Sequence, residues 1–395
     1  MTSITPAYAG IKVLDLSQGI AGPYCAEILL QNGADVTKVE PPAGDWGRAI
    51  GFGPDGLSAL AIVNNLGKRS ISIDGANEKG RALLRRLAAA ADVVIESFRP
   101  GVMQRLGLAY EELARENPAL VYVSVTAFGP DGPDADRPGS DSTLQALSGL
   151  MVANRDASGT PRKVGILLVD VVTGIYAAQA TGAALYRCAM KGRGEHVQVS
   201  LLNSVAAVQG NSIVDAALGA GRPALPLSVP AGTFATADGH INVTSLHDKM
   251  FAGLCRAIGQ DAWLQDPGFA TVEARYGRIA EINAALERIF RTNTTAHWLE
   301  ALRGNSVVCG PVCGYKEFLA DAQVRQQGIF QYIAQSGLDP VPVPRVPGIP
   351  GTVSLQSAPR VGEHTAAVLA GLGLNVAEID ALIESGAVAS AVRTA

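Results

Sequence analysis

Apolar residues come in short runs, and over the first half of the chain the runs alternate between two periods. Residues 11–16 (I-K-V-L-D-L) form a β-rich run, and Gly19-Ile20-Ala21-Gly22-Pro23 turns the chain. Pro23 suits a first helical position, where its missing N–H needs no partner. The helical pattern runs through Cys25, Ile28 and Leu29 to Gly33, a good C-terminal stop. Residues 36–40 then return as a strand, closed by Pro41 and Pro42. Strand–helix–strand in so short a span predicts a right-handed βαβ unit in a parallel sheet. Strands are expected again at 69–73, 92–96, 120–125 and 196–200, with helices over 78–91 and 171–190. The run at 120–125 is apolar enough to be covered on both faces.

The pattern changes after about residue 205. A Pro-rich connection spans 223–230, a β-hairpin is expected around Asp238-Gly239, and helical patterns fill 247–320. A second Pro-rich stretch at 340–350 leads to one last helix near 363–372. We therefore expect an α/β fold: a large domain over 1–224, a smaller α+β domain over 225–330, and a return to the large domain over 331–395. At 395 residues the chain is too long for one core, which agrees with that division.

Composition narrows the function classes. Hydrophobic residues make up 48% and charged residues 17%, as in a globular chain. Net charge is −4, with no Lys/Arg block, which argues against nucleic-acid and polybasic membrane partners. No run reaches roughly 18 uninterrupted apolar residues, and the first ten residues lack the basic start of a secretory signal. Five scattered cysteines fit a reducing cytoplasm better than a disulfide framework. Cys309 and Cys313 have no histidine nearby to complete a zinc set, so no metal site is expected.

Candidate chemistry is sparse. Asp170 interrupts the apolar run V-G-I-L-L-V-D-V-V-T-G where a strand is expected to end and a helix to begin. The plain reading is a helix N-cap. The functional reading is a carboxylate favoured in its ionised form by the helix dipole and able to attack an activated acyl group. Gly19 and Gly22 are spaced G-x-x-G-P, not G-x-G-x-x-G, so nicotinamide dinucleotide binding is disfavoured, although Glu40 stands where a ribose-binding acid would be. Lys38, Arg48, Lys68, Arg69, Arg99, Arg105 and Arg137 lie near expected strand ends, where an anionic ligand would sit. Neither a G-x-S-x-G elbow nor a serine triad is evident.

A set of motifs in order carries a family resemblance. They are V-L-D-L-S with A-G-P-Y-C, G-A-D-V-T-K-V-E-P-P, N-L-G-K-R-S-I-S-I-D, E-S-F-R-P-G-V-M-Q-R-L-G, R-P-G-S-D-S-T-L-Q-A-L-S-G-L, D-V-V-T-G and G-R-G-E-H-V-Q-V-S-L-L-N-S. Over nearly its whole length the chain resembles the class III coenzyme A transferases, a group that includes formyl-CoA:oxalate CoA-transferase and the α-methylacyl-CoA racemases. The resemblance implies a Rossmann-like parallel-sheet large domain that binds CoA, and an interlocked, ring-like homodimer. It implies CoA transfer from an acyl-CoA to a carboxylic acid, with both as substrates and no permanently bound cofactor.

The family's nucleophile falls on Asp170, which would form a mixed anhydride and then an aspartyl-CoA thioester. Ile73, Phe98 and Arg105 match positions used around the CoA adenine and phosphates, and Asp141 matches an acid near the catalytic centre. Lys38 and Arg48 are added as CoA contacts from the charge reading. Two departures bear on the substrate. The racemase triplet G-H-D is here Gly139-Ser140-Asp141, and serine cannot shuttle a proton near neutral pH. The glutamine that precedes A-G-P in formyl-CoA transferase is here Ile20, with Gln18 two residues earlier, and that enzyme's glycine-rich loop has no match between Leu225 and Gly239. A transferase is therefore expected, with a succinyl-CoA-like donor. The alternatives are an acyl-CoA racemase or epimerase, a CoA-binding protein without turnover, and an NAD-dependent oxidoreductase.

Overall fold

The computed structural model describes residues 5–156, 158–220, 226–349 and 354–390. Two compact units emerge, Met1–Gly210 with Ile329–Ala395, and Asn211–Gly328. The crossings fall at 210/211 and 328/329, against 224/225 and 330/331 from the sequence. Residues 223–225 and 350 of the two Pro-rich stretches lie outside the described residues.

The larger unit is built on a seven-stranded sheet. Its strands are β1 (Lys12–Asp15), β2 (Asp35–Glu40), β3 (Arg69–Ile73), β4 (Val93–Glu96), β5 (Val121–Thr126), β6 (His196–Ser200) and β7 (Val388–Ala389). Their order across the sheet is 7-3-2-1-4-5-6, with β7 antiparallel to β3 and every other pair parallel. Its helices include α1 (Ala21–Gln31), α2 (Glu78–Ala89), α3 (Asp141–Leu147) and α4 (Leu168–Lys191). One core holds β1, β4 and β5 residues against α1 and α4, including Val13, Leu29, Ile95, Val123 and Ala177. The second lies under α2, with Leu14, Ile71, Leu83, Leu87 and Val94. Neighbouring strand residues (Val13 and Leu14) go to different cores, so the sheet is covered on both faces, which explains its continuous apolar strands.

Helix α4 is long and apolar enough to cross a membrane by length and composition, with mean hydropathy 1.3. Asp170 and Arg187 interrupt it. Its buried positions, Val169, Thr173, Gly174, Ala177, Ala178, Thr181 and Ala184, form one helical stripe of mostly small residues. Gly174 is needed there. A Cβ at this position would sit 2.8 Å from the Ala21 carbonyl oxygen and 3.0 Å from the Tyr24 ring. The two helices approach closely enough to bring the start of α4 beside the turn after β1.

The expected strand before Asp170 does not form. Residues 161–167 are irregular and α4 begins at Leu168. A short apolar run fits several local structures equally well; here Ile166 and Leu167 are exposed in an irregular segment and only Leu168 onward is helical.

The smaller unit holds a three-stranded antiparallel sheet. Ala231–Ala235 pairs with His240–Thr244, which pairs with Val308–Pro311. Its core contains Phe251, Ile282, Leu286, Phe290 and Leu302. Arg275 has no exposed surface; it donates to the carbonyls of Val229 and Phe269 and pairs with Asp248 at 2.8 Å.

Beneath the carboxyl ends of β1 and β2 lies a buried ionic network. Lys68 Nζ pairs with Asp15 Oδ2 at 2.8 Å, and Lys38 Nζ lies 3.8 Å from the same oxygen and 3.2 Å from Asp45 Oδ2. Burial alone would raise the Asp15 pKa, but the two ammonium groups outweigh it and hold the carboxyl below its usual value. Arg48 forks onto both oxygens of Glu40 at 2.6 and 2.8 Å. Asp15→Ala leaves the buried Lys68 ammonium without its carboxylate and Lys38 with Asp45 alone. It should lower unfolding free energy by about 3–5 kcal/mol, read from the urea midpoint at constant slope.

Candidate active site

In the 3-2-1-4-5-6 order the chain reverses its winding direction between β1 and β4, and ligands bind outside the carboxyl ends of strands at such a point. A cavity of about 360 Å³ lies there. Its walls come from the loops after β1 (Gln18 to Gly22) and β4 (Ser97 to Pro100), the end of β5, the loop leading into α3, and Asp170 at the start of α4.

The loop after β1 is fixed from below. The Gly19 N–H donates to both oxygens of Asp45, at 2.9 and 3.0 Å, and Asp45 is held by Lys38. Gly19 has φ +81°, and a Cβ there would lie 2.1 Å from the Trp46 ring. The backbone at Gly19 is therefore committed within the fold: Asp45 takes its N–H and Trp46 lies against its face. The Gln18 N–H donates to Ser97 Oγ at 2.9 Å, tying the β1 loop to the β4 loop. Glu96 accepts from the Phe98 N–H at 2.9 Å and fixes the β4 loop; burial raises its pKa.

Asp170 is in the first turn of α4 and is not its N-cap; Leu167 is at that position and makes no side-chain cap. The cap comes from another helix. Asp141 Oδ2 accepts from the N–H groups of Val169 at 2.7 Å and Asp170 at 3.3 Å. Asp141 is 4% exposed, and its other oxygen accepts from Gln145 Nε2 at 2.7 Å. The expectation of an ionised Asp170 needs correction. Burial first, and the Asp141 charge second, push its pKa up from 3.8 to about 7. The helix dipole is outweighed because the positive N–H groups at this end are already occupied by Asp141.

The expected site residues fall into two groups. Asp170, Asp141, Ser140, Ile20 and Phe98 all line the cavity. Ser140 is the N-cap of α3, in a reciprocal capping box with Thr143. Four others do not line it. Ile73 is buried in the core at the end of β3, and Arg105 is exposed on the short helix Val102–Leu106. The charge reading of Lys38 and Arg48 as CoA contacts is corrected: both are buried and already paired with Asp15, Asp45 and Glu40, leaving no face for a phosphate. Trp46 and Gln145 escaped the sequence reading. For Gln145 the signal was its spacing four residues after Asp141, one helical turn. For Trp46 no local signal existed. Arg99, which also lines the cavity, was legible only as one of seven scattered cations. Among the described residues no group of His, Cys, Asp and Glu could hold a metal ion.

A doubly wound parallel sheet with a cavity at its switch point, walled in part by Asp170 and Asp141, defines an α/β protein with its ligand site in the usual place for this class. Comparison with known proteins makes the assignment definite. The chain matches the family model "CoA-transferase family III" over residues 8–365, and it belongs to that family. It is 35% identical to the succinate–glutarate CoA-transferase of Agrobacterium fabrum, over 94% of this chain and 97% of the relative. Identity to the human succinyl-CoA:glutarate CoA-transferase is 30%, over 93% of this chain and 86% of the relative. A CAIB/BAIF family protein from Brucella suis superposes with a TM-score of 0.84 at 33% identity, covering 93% of this chain and all of the other. The protein is a CoA-transferase.

The raised Asp170 pKa has a consequence for stability. A carboxyl that binds its proton more tightly when folded loses stability for the protein as pH rises from about 4 to about 7, and the loss is complete above that. Asp170→Asn removes this dependence. Its melting temperature relative to wild type should climb through that window and then level off, as measured by calorimetry at a series of pH values.

Proposed function

We propose that the protein moves CoA from a succinyl-CoA-like donor to a dicarboxylic acid acceptor, with Asp170 as the covalent nucleophile. The observation that carries this reading is the Asp170 carboxyl itself: half-buried, at the cavity wall, at the sheet's switch point, and with a pKa of about 7. A carboxylate of that basicity is a better nucleophile than a solvated one, while a useful fraction remains ionised at neutral pH.

The steps follow from that assignment. An Asp170 oxygen attacks the thioester carbonyl, the C–S bond breaks, and CoA leaves as thiolate. The thiolate attacks Asp170 Cγ of the mixed anhydride and expels the donor acid as its carboxylate, leaving an aspartyl-CoA thioester. The acceptor carboxylate then attacks Cγ and releases thiolate. The thiolate takes the acceptor carbonyl, and Asp170 is regenerated as a carboxylate. The thioester free energy is conserved only while water is kept from the anhydride.

Two relatives named for glutarate and succinyl-CoA or succinate support the dicarboxylate class. Phe98, with the exposed Arg99 beside it on the cavity wall, and Arg105 serve CoA. The racemase alternative loses support because Ser140 is engaged as a helix cap and offers no second acid/base group. The enzyme needs no resident cofactor and works in the cytoplasm as a homodimer, for which the apolar residues Ile175, Tyr186 and Met190, exposed along α4, supply a surface.

Two outcomes test the reading. Asp170→Ala should lower CoA transfer from succinyl-CoA to glutarate by at least ~100-fold, followed by mass spectrometry. Wild type incubated with succinyl-CoA and hydroxylamine should lose activity and carry the modification on the Asp170 peptide. An unmodified, fully active enzyme overturns the nucleophile assignment.

A further inference from the structure

The hydrogen bonds around the start of α4 do more than cap a helix. Gln145, fully buried, faces three ways. Its Nε2 donates to Asp141 Oδ1 at 2.7 Å and reaches the Ile166 carbonyl at 3.5 Å, and its Oε1 accepts from the Val164 N–H at 2.9 Å. Asp141 in turn accepts from Val169 and Asp170 N–H. The irregular segment before α4 and the first turn of α4 are thus both fastened to one side of α3, through two side chains. We propose that Asp141 and Gln145 form a clamp of positioning residues that sets where the Asp170 carboxyl stands in the cavity and fixes a negative charge beside it. The proposal rests on the reading of Asp170 as nucleophile.

The physical case has two parts. No side chain caps α4 from within its own segment, so without Asp141 the Val169 and Asp170 N–H groups lose their partner. The segment over residues 161–167 has no regular structure of its own, and Gln145 holds both its Val164 N–H and its Ile166 carbonyl. A shift of about 1 Å in a reacting group costs on the order of 100-fold in rate, so a clamp here bears directly on turnover. The charged groups around the cavity are Asp141 on α3, Asp136 and Arg137 on the loop before it, and Arg99 after β4. From α1, packed against α4, come Tyr24 and the buried Glu27. Strands β5 and β6 and the helix Leu201–Val208 present no ionised side chain to the cavity. Of these groups Asp141 is the charge that acts on Asp170, adding to burial in raising its pKa.

Four variants separate the parts. Asp141→Asn keeps one acceptor but removes the charge and sets an amide against the Gln145 amide. Gln145→Met removes the anchor to Val164 and leaves the charge. The double variant Asp141→Asn, Gln145→Glu restores two of the three links, since the carboxylate now on the Gln145 side accepts both from the amide introduced at position 141 and from the Val164 N–H, and only the long bond to the Ile166 carbonyl is lost. Asp170→Ala is the control. The readouts are CoA transfer from succinyl-CoA to glutarate across pH, and the carbon-13 titration of the Asp170 carboxyl, which needs no substrate.

We expect Asp141→Asn to lower kcat by about 10- to 100-fold and to move the Asp170 titration and the acid limb down by roughly one pH unit. Gln145→Met should lower kcat at least ~10-fold with the titration nearly in place. The double variant should recover much of the rate lost in Asp141→Asn. If Asp141→Asn proves unable to fold, Gln145→Met and the double variant decide. Wild-type rate and titration in these variants, with Asp170→Ala inactive, overturn the clamp alone. An active Asp170→Ala overturns the nucleophile reading and the clamp with it.

Discussion

The structure turns on a lysine with no exposed surface. Lys38 lies between Asp15 at the end of β1 and Asp45 after β2, and donates to the Ser17 carbonyl. Asp45 then holds the Gly19 N–H, and that residue begins the cavity wall. A buried ion pair adds little net stability, because desolvation offsets most of the attraction. What it supplies is a defined geometry, since any other arrangement leaves an unpaired charge in the interior. Lys68, pairing Asp15 and donating to the Pro23 carbonyl, ties the first turn of α1 to the same network. The β1 loop is therefore built from the inside outward, and the glycine at its tip is free to accept Trp46 on its face.

The opposite wall is organised by the same principle on a smaller scale. Helix α4 supplies the carboxyl, α3 supplies its cap, and Gly174 lets α1 come close enough to bring the β1 loop into the same cavity. One carboxylate occupies the backbone N–H groups so that the next is left facing the cavity without them. The two acids have identical side chains and lie on neighbouring helix starts, yet their environments give them opposite tasks. Asp141 is consumed by hydrogen bonds, and Asp170 is left partly desolvated and basic. Environment alone pushes the two carboxyls apart.

Much of the fold was legible because period and punctuation agreed. The run at 36–40, closed by two prolines, is β2, and the helix expected to stop at Gly33 ends at Gln31. Motif order carried the family. Elsewhere the local signal is ambiguous by its nature. The run ahead of Asp170 satisfies strand and helix alike, and Asp170 moved from cap position into the first turn. Lys38 and Arg48 read as ligand-facing because a cation near a strand end is equally compatible with a phosphate and with a buried carboxylate.

The sequence by itself determined the alternation of elements, the parallel α/β sheet and the singling out of Asp170 as the candidate carboxyl, since these rest on local period and on residue type at fixed positions. Tertiary structure alone decided which cations go inside, that Asp141 caps a helix it does not belong to, and that Asp170 is held near pKa 7. The physical reason is range. Backbone preference acts over a few residues, whereas desolvation and ion pairing depend on groups that folding brings together from distant parts of the chain, such as Asp15 with Lys68 and Asp141 with Val169.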